Sequence, residues 1–327
     1  MRWTYAYCFN LVKASCGNNV IDMYHTYDYC TNLQEAVCGN NVIDMDGTYN
    51  YCSNLMSAAC GPNVESMYST YSYCSNLENP VCGPNVKYMG STYSYCSNLK
   101  YAVCGPNVTN MSSTYYGCQN LITAACGPNV SIMDGTYYNC TNLTTAVCGD
   151  NVTSMDYTYA YCNNLIEAVC GPNVSTMAYT YSYCANLTTA VCGDNVTSMH
   201  YTYQFCPNLR NAVCGPNVKY LTYCYINCIN LTEGACGNNV TELWEAYKDC
   251  PNLTNAVIGQ KVNDVRETFK NCVNLQNLII FNNSRVITYV DTLLGANPNV
   301  NIYVPSNLLN NYLNSEWANH GTIIGQE

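Results

Sequence analysis

Cys30-Thr-Asn-Leu-Gln-Glu-Ala-Val-Cys38-Gly-Asn-Asn-Val42-Ile-Asp-Met45-Asp-Gly-Thr48-Tyr49-Asn-Tyr51 is one 22-residue copy of a pattern that runs along almost the whole chain. Its heading motif, Cys-x-Asn-Leu, recurs thirteen times at that spacing, at Cys8, Cys30, Cys52, Cys74, Cys96, Cys118, Cys140, Cys162, Cys184, Cys206, Cys228, Cys250 and Cys272. A unit this short cannot bury its own apolar face, so it must stack on copies of itself. The period therefore predicts a solenoid in which equivalent side chains form ladders about 4.8 Å apart.

Within the copy, Ala36 and Cys38 alternate with Val37, the period-two pattern of a short strand with one buried face. Each coil thus contributes one strand to a parallel sheet, and Gly39 ends it, as Gly-Pro does at Gly61-Pro62, Gly83-Pro84 and Gly105-Pro106. The remainder, Val-x-x-Met-x-x-Thr-Tyr-x-x-Cys, spaces its apolar residues by three or four and predicts a short 3₁₀ or single-turn helical segment. Asn before Leu (Asn10 through Asn274) and Asn before Val (Asn19, Asn41, Asn63 and onward to Asn239) make two ladders whose amides can satisfy turn backbone buried between coils.

At 327 residues a single rounded core would be unusual, but a repeat array grows along one axis. Only 10% of residues are charged, with a net charge of -10, so the surface is hydroxyl- and amide-rich and a poor match for nucleic acid. No apolar run reaches signal-peptide or membrane-span length, which argues against membrane insertion. Met1 falls in register with Met23, so the chain enters the array without an evident N-terminal cap, an end available for end-to-end self-association. The absence of a secretion signal points to a virion part or a larger surface assembly.

The frame Leu-x-x-Ala-x-Cys-x-x-Asn resembles the leucine-rich-repeat frame Leu-x-x-Leu-x-Leu-x-x-Asn. The longer frame Cys-x-x-Leu-x-x-Ala-x-Cys-Gly-Pro-x-Val-x-x-Met-x-x-Thr-Tyr is similar to the BspA-type (treponemal) leucine-rich repeat, with Thr-Tyr standing for Ala-Phe and one residue fewer per copy. The match is closest in Val265-Arg266-Glu267-Thr268-Phe269-Lys270-Asn271-Cys272-Val273-Asn274-Leu275-Gln276-Asn277-Leu278-Ile279-Ile280. The tail Ile302-Tyr303-Val304-Pro305, followed by Leu308, Leu309, Tyr312 and Leu313, resembles the strand and helix that close such arrays. The resemblance implies an α/β solenoid, a right-handed array of about 13 coils of 22 residues with one parallel sheet over residues 1–280, and a C-terminal strand/helix cap over 281–327. It also implies a non-enzymatic adhesion or recognition module of a bacterial or protist surface, or of a phage tail, binding a cell-surface protein or glycan. The alternative is a structural spacer or filament subunit.

Cysteine, at 25 residues, forms the Cys8 ladder of thirteen, the Cys16 ladder of eleven, and Cys224. The first reading is small buried residues that stay reduced. Bridging between ladder neighbours is the alternative, since their Cα atoms fall within range, although odd-numbered ladders would each leave one thiol over. Cys-x7-Cys with apolar fill does not converge four thiolates, so no metal site is expected. Histidines at 25, 200 and 320 fall at unrelated points of the frame, and no phosphate loop follows a strand, so neither catalysis nor a cofactor is expected. The Thr ladder (Thr4, Thr26, Thr48) invites comparison with ice-binding solenoids, but each Thr precedes a bulky Tyr.

Two surfaces stand out among the 33 tyrosines and the strand positions. The Tyr5, Tyr27, Tyr49 ladder takes the buried Phe position of the resembled repeat. The Tyr two residues later, at Tyr73, Tyr95, Tyr161 and Tyr183, should point outward as an amphipathic stripe. On the sheet face, Val103, Val147, Val169, Val191 and Val213 form an expected exposed aliphatic ridge, flanked by variable residues such as Tyr101, Glu167 and Arg210. Variation at solvent-facing positions of a fixed repeat is where partner contacts can sit.

Overall fold

The computed structural model describes residues 1–57 and 59–326. It divides into two compact units, Met1–Leu165 and Ile166–Glu327, each a β-solenoid of coils stacked at the 22-residue period.

In the first unit, strand β1 (Lys13–Ser15) pairs in parallel with β2 (Glu35–Val37), Lys13 opposite Glu35 and Ala14 opposite Ala36. Further along, single parallel bridges carry the same offset, as at Ser57 with Asn79 and Tyr101 with Thr123. A second line of bridges joins Asp22, Asp44, Ser66, Tyr88, Asn110, Ile132 and Ser154. Past the first coil the interior is dry: Leu99, Val108, Met111, Tyr115 and Cys118 are all fully buried, as are their equivalents one period away. Each such apolar side chain contributes on the order of 1.5–3 kcal/mol when removed from water.

The helical turn expected over Met-x-x-Thr-Tyr is absent. Every coil instead places two residues, four apart, at positive φ, from Trp3 and Tyr7 through Ser91 and Tyr95 to Asp291 and Gly295. The reversals point alternate amides along the stack. Met45 N donates to Ser66 O (3.0 Å), Gly47 to Tyr68 (2.8 Å), Tyr49 to Thr70 (2.9 Å) and Tyr51 to Ser72 (2.8 Å). The chain thus makes a backbone ladder from turns, and a left-handed conformation costs roughly 1–2 kcal/mol per non-glycine residue.

Side chains return the hydrogen bonds in the opposite direction. Thr70 Oγ1 donates to Met45 O of the preceding coil (2.9 Å), and Cys74 Sγ donates to Tyr49 O (3.1 Å). The second unit repeats this, with Thr202 on Met177 O, Cys206 on Tyr181 O and Cys228 on Tyr203 O. All the cysteines are present as thiols, and in this ladder the thiol is a donor as well as a small apolar group. Burial pushes the Cys118 and Cys228 thiols up to about 12, so they stay protonated and able to donate.

The strand at Ala-Val-Cys is narrower than its alternation predicts, and the buried tyrosine explains why. Tyr115 Oη donates to Val103 O (2.7 Å) and accepts from Val103 N (2.8 Å). Tyr93 does the same at Val81, Tyr137 at Ala125 and Tyr159 at Val147. A residue whose amide and carbonyl both turn inward to a hydroxyl cannot also pair sideways. Where the hydroxyl is missing or disengaged, the strand widens. Phe269 faces Val257 within β4 (Asn255–Ile258), and Tyr49, whose hydroxyl has no partner, faces Val37 within β2.

The second unit ends in a five-stranded parallel sheet in chain order: β3 (Glu233–Gly234), β4, β5 (Asn277–Ile280), β6 (Asn301–Pro305) and β7 (Thr322–Gln326). Helix α1 (Leu309–Leu313) and short 3₁₀ turns lie between β6 and β7, with Tyr312 and Trp317 fully buried over the last coils. Coil geometry continues past residue 280, since Thr292 Oγ1 donates to Val265 O (2.9 Å).

The asparagine ladders bridge neighbouring coils, as expected, but at exposed edges rather than in the buried interior. Asn63 Nδ2 donates to Asn40 O (3.0 Å) and Asn85 to Pro62 O (2.9 Å), while Asn54 and Asn76 bond amide to amide with the Asn one period before. They tie turn to turn where water also reaches.

Candidate functional site

The left-handed residue four after the first reversal turns its side chain outward, and in the first unit it is tyrosine in five successive coils. Tyr7, Tyr29, Tyr51, Tyr73 and Tyr95 stack ring on ring, with centroids 5.1, 4.3, 4.3 and 4.6 Å apart. Their φ values of 56–61° recur at Asn139, Asn227 and Asp249, residues that tolerate this region better than tyrosine. At Gly117 the row slips. A Cβ there would lie 2.8 Å from the Tyr95 ring, and Tyr116, one residue earlier, takes over, tilted 55° against Tyr95 and stacked at 4.4 Å on Tyr138. Tyr138 then meets Tyr161 at a 56° tilt.

In the second unit Tyr183 stacks on Phe205 at 4.7 Å, and a parallel row runs Tyr179, Tyr201, Tyr223 at 4.4 and 4.6 Å. Tyr223 leads to Trp244, which carries the Arg266 guanidinium 4.4 Å over its ring. Of the tyrosines expected to face outward, Tyr73 and Tyr95 are exposed and Tyr161 and Tyr183 half-buried.

The expected valine ridge is more recessed. Val103 and Val147 in the first unit, and Val169, Val191 and Val213 in the second, are half-buried because the inward hydroxyl bonds pull their backbone toward the core. Val37, which its tyrosine does not hold, is 59% exposed. Tyr101, Glu167 and Arg210 beside them are exposed. Each buried tyrosine starts beside the outward tyrosine row and ends at the valine position. The two candidate sets therefore lie on opposite faces of a coil, a ring's length apart, and do not form one patch.

Among the described residues no group of three or more His, Cys, Asp or Glu side chains is placed to hold a metal ion, and no helix is long and apolar enough to cross a membrane. Burial pushes the Cys38 thiol up to about 11 and Cys104 to about 12, so these two thiols stay protonated at neutral pH.

Coils of one fixed length, a buried Leu-Val-Met set and parallel strand pairing define the leucine-rich-repeat class. The chain belongs to the family described as BspA type leucine rich repeat region, whose model matches residues 2–122, 91–210 and 176–290. Its fold is similar to that of a leucine-rich repeat protein from Bacteroides ovatus (15% identity, 97% of this chain and 92% of that one, TM-score 0.69). Weaker structural likenesses are a leucine rich cell surface protein from Faecalibacterium prausnitzii (15% identity, 85% and 82% covered, TM-score 0.48) and the pneumococcal vaccine antigen PcpA (10% identity, 99% and 91% covered, TM-score 0.49). No curated protein sequence matches the chain significantly.

Proposed function

We propose that the protein is a non-enzymatic recognition module that attaches to a protein or glycan on a cell surface through the outward aromatic rows of its turn side. The observation that carries this reading is the Tyr7 to Tyr95 row: five stacked rings held in a backbone conformation that asparagine or glycine would adopt at lower cost. Rings stacked before contact lose little side-chain entropy on binding, and tyrosine combines a large apolar face with a hydroxyl. The strand-side set of Val103, Val147, Val169, Val191 and Val213 with Tyr101, Glu167 and Arg210 is the competing surface within the same function.

Attachment of the purified chain to cells and to immobilised glycans tests it. Replacing Tyr51, Tyr73 and Tyr95 by Ser should abolish attachment and leave the circular dichroism spectrum unchanged. Retention in that variant, with loss when Val147, Val169 and Val191 become Lys, would move the site to the strand side.

A further inference from the structure

One coil in the first unit departs from its neighbours twice at the same place. Along the row of first reversals, the side chain of one coil leans over the backbone of the next. A Cβ at Gly47 would meet the His25 ring at 2.4 Å, and one at Gly90, in the adjoining row, would meet Tyr68 at 2.8 Å. Gly135 is unlike them, because among the described residues other than its chain neighbours only Ser113 Oγ, at 3.3 Å, comes within 4 Å of its Cβ position. The space that a ring fills elsewhere is left open. Beside it, Gly117 and Asn139 hold the second reversal, so the outward rings shift to Tyr116 and Tyr138.

The outcome is a hollow of about 420 Å³ lined by Ser113, Gly135, the paired rings of Tyr116 and Tyr138, and Tyr157, itself 45% exposed. Ser112, Asp134 and Asp156 complete the lining, which contains no basic residue. The Asp134 carboxylate is held in place by the Ser154 hydroxyl (2.5 Å) and the Asp156 amide (3.1 Å). Its volume falls in the range of small-molecule sites, and the lining combines ring surface with the fixed carboxylate of Asp134, a second carboxylate and a hydroxyl.

We propose that this hollow binds one uncharged pyranose ring of a glycan. A pyranose presents C–H faces to the tyrosines and hydroxyls that can donate to Asp134 and Asp156, while the two carboxylates repel acidic sugars. This inference rests on the recognition reading above and names its ligand class at one position.

Saturation-transfer NMR on the full chain tests it, with methyl glucopyranoside, methyl galactopyranoside and methyl N-acetylglucosaminide as probes. N-acetylneuraminic acid and tetramethylammonium serve as anionic and cationic comparisons. At least one neutral glycoside should bind, and Gly135→Tyr should weaken it by at least about tenfold. That variant should fold, because Tyr157, Tyr179 and Tyr201 adopt the same backbone conformation in their own coils. Ser113→Tyr, which would cover Gly135 as Tyr68 covers Gly90, should do the same. Neutral sugar binding that survives both variants, binding of tetramethylammonium alone, or no binding of any probe would overturn the proposal. If the wild-type chain attaches to cells but binds none of the sugars, the hollow is excluded and the recognition reading stands. If it binds sugar at Gly135 but attaches to no cell, the recognition reading fails instead.

Discussion

Tyr115→Phe removes one oxygen atom and tests what holds the coils open on their strand side. The ring is fully buried, and its hydroxyl both donates to and accepts from Val103 at 2.7 and 2.8 Å. Two neutral hydrogen bonds contribute about 0.5–1.5 kcal/mol each, and because Val103 is half-buried, water can reach part of what is uncovered, so the loss should be about 1–3 kcal/mol. Phenylalanine keeps the packing, as Phe269 does at the equivalent position seven coils further along the sequence, fully buried beside β4. If the hydroxyl is what keeps strands from widening, removing two neighbouring hydroxyls frees facing backbone groups that can pair with each other. Tyr93→Phe with Tyr115→Phe should then cost less than the sum of the singles by about 1 kcal/mol, whereas Tyr71→Phe with Tyr137→Phe, three coils apart, should add within about 0.5 kcal/mol. Urea unfolding followed by far-ultraviolet circular dichroism measures both, and the amide I band of the adjacent double variant should gain sheet intensity. A single variant within about 0.3 kcal/mol of the parent, or equal additivity in the two pairs, would refute the reasoning.

Cys118→Ala deletes the donor that Tyr93 O receives at 3.0 Å in the dry interior and should cost about 1–3 kcal/mol in urea melts; a neutral result would reduce the thiol to a space-filler. Alkaline pH should destabilise the fold. Burial holds Cys38 up to about 11 and Cys118, Cys162 and Cys228 up to about 12 against an ordinary 9.0, so the folded chain keeps protons that the unfolded chain releases. The stabilisation is complete below pH 9 and is lost as pH rises toward 11–12, by about 1 kcal/mol at pH 10 for each of the fully buried Cys118, Cys162 and Cys228 and by less for the half-buried Cys38, where solvent screens the charge; a melting temperature that stays flat between pH 8 and 10 in reductant would contradict it. Gly117→Ala, at φ +73° and 2.8 Å from the Tyr95 ring, should lower stability by more than Gly135→Ala, at φ +61° over open space, by about 1 kcal/mol; equal losses would show that the Tyr95 overhang is soft.

The 22-residue period was enough to place the coils, the ladders and the buried set of Leu99, Val108, Met111 and Cys118, because a repeat writes its contacts into its own spacing. The outward course of Tyr73 and Tyr95 was readable for the same reason. The turn side was misread as helical because three-to-four spacing of apolar residues describes burial alone, and it is equally met by paired left-handed reversals whose amides bond to the next coil. Nothing in the local pattern shows that Tyr115 reaches twelve residues back to take both backbone groups of Val103, or that Cys74 donates to the carbonyl of Tyr49. Nor does a lone Gly135 reveal a hollow, since Gly47 shares its residue type and backbone angle and is filled by His25. Those outcomes depend on which side chain a neighbouring coil leans across, a property of two coils in contact that no single copy contains.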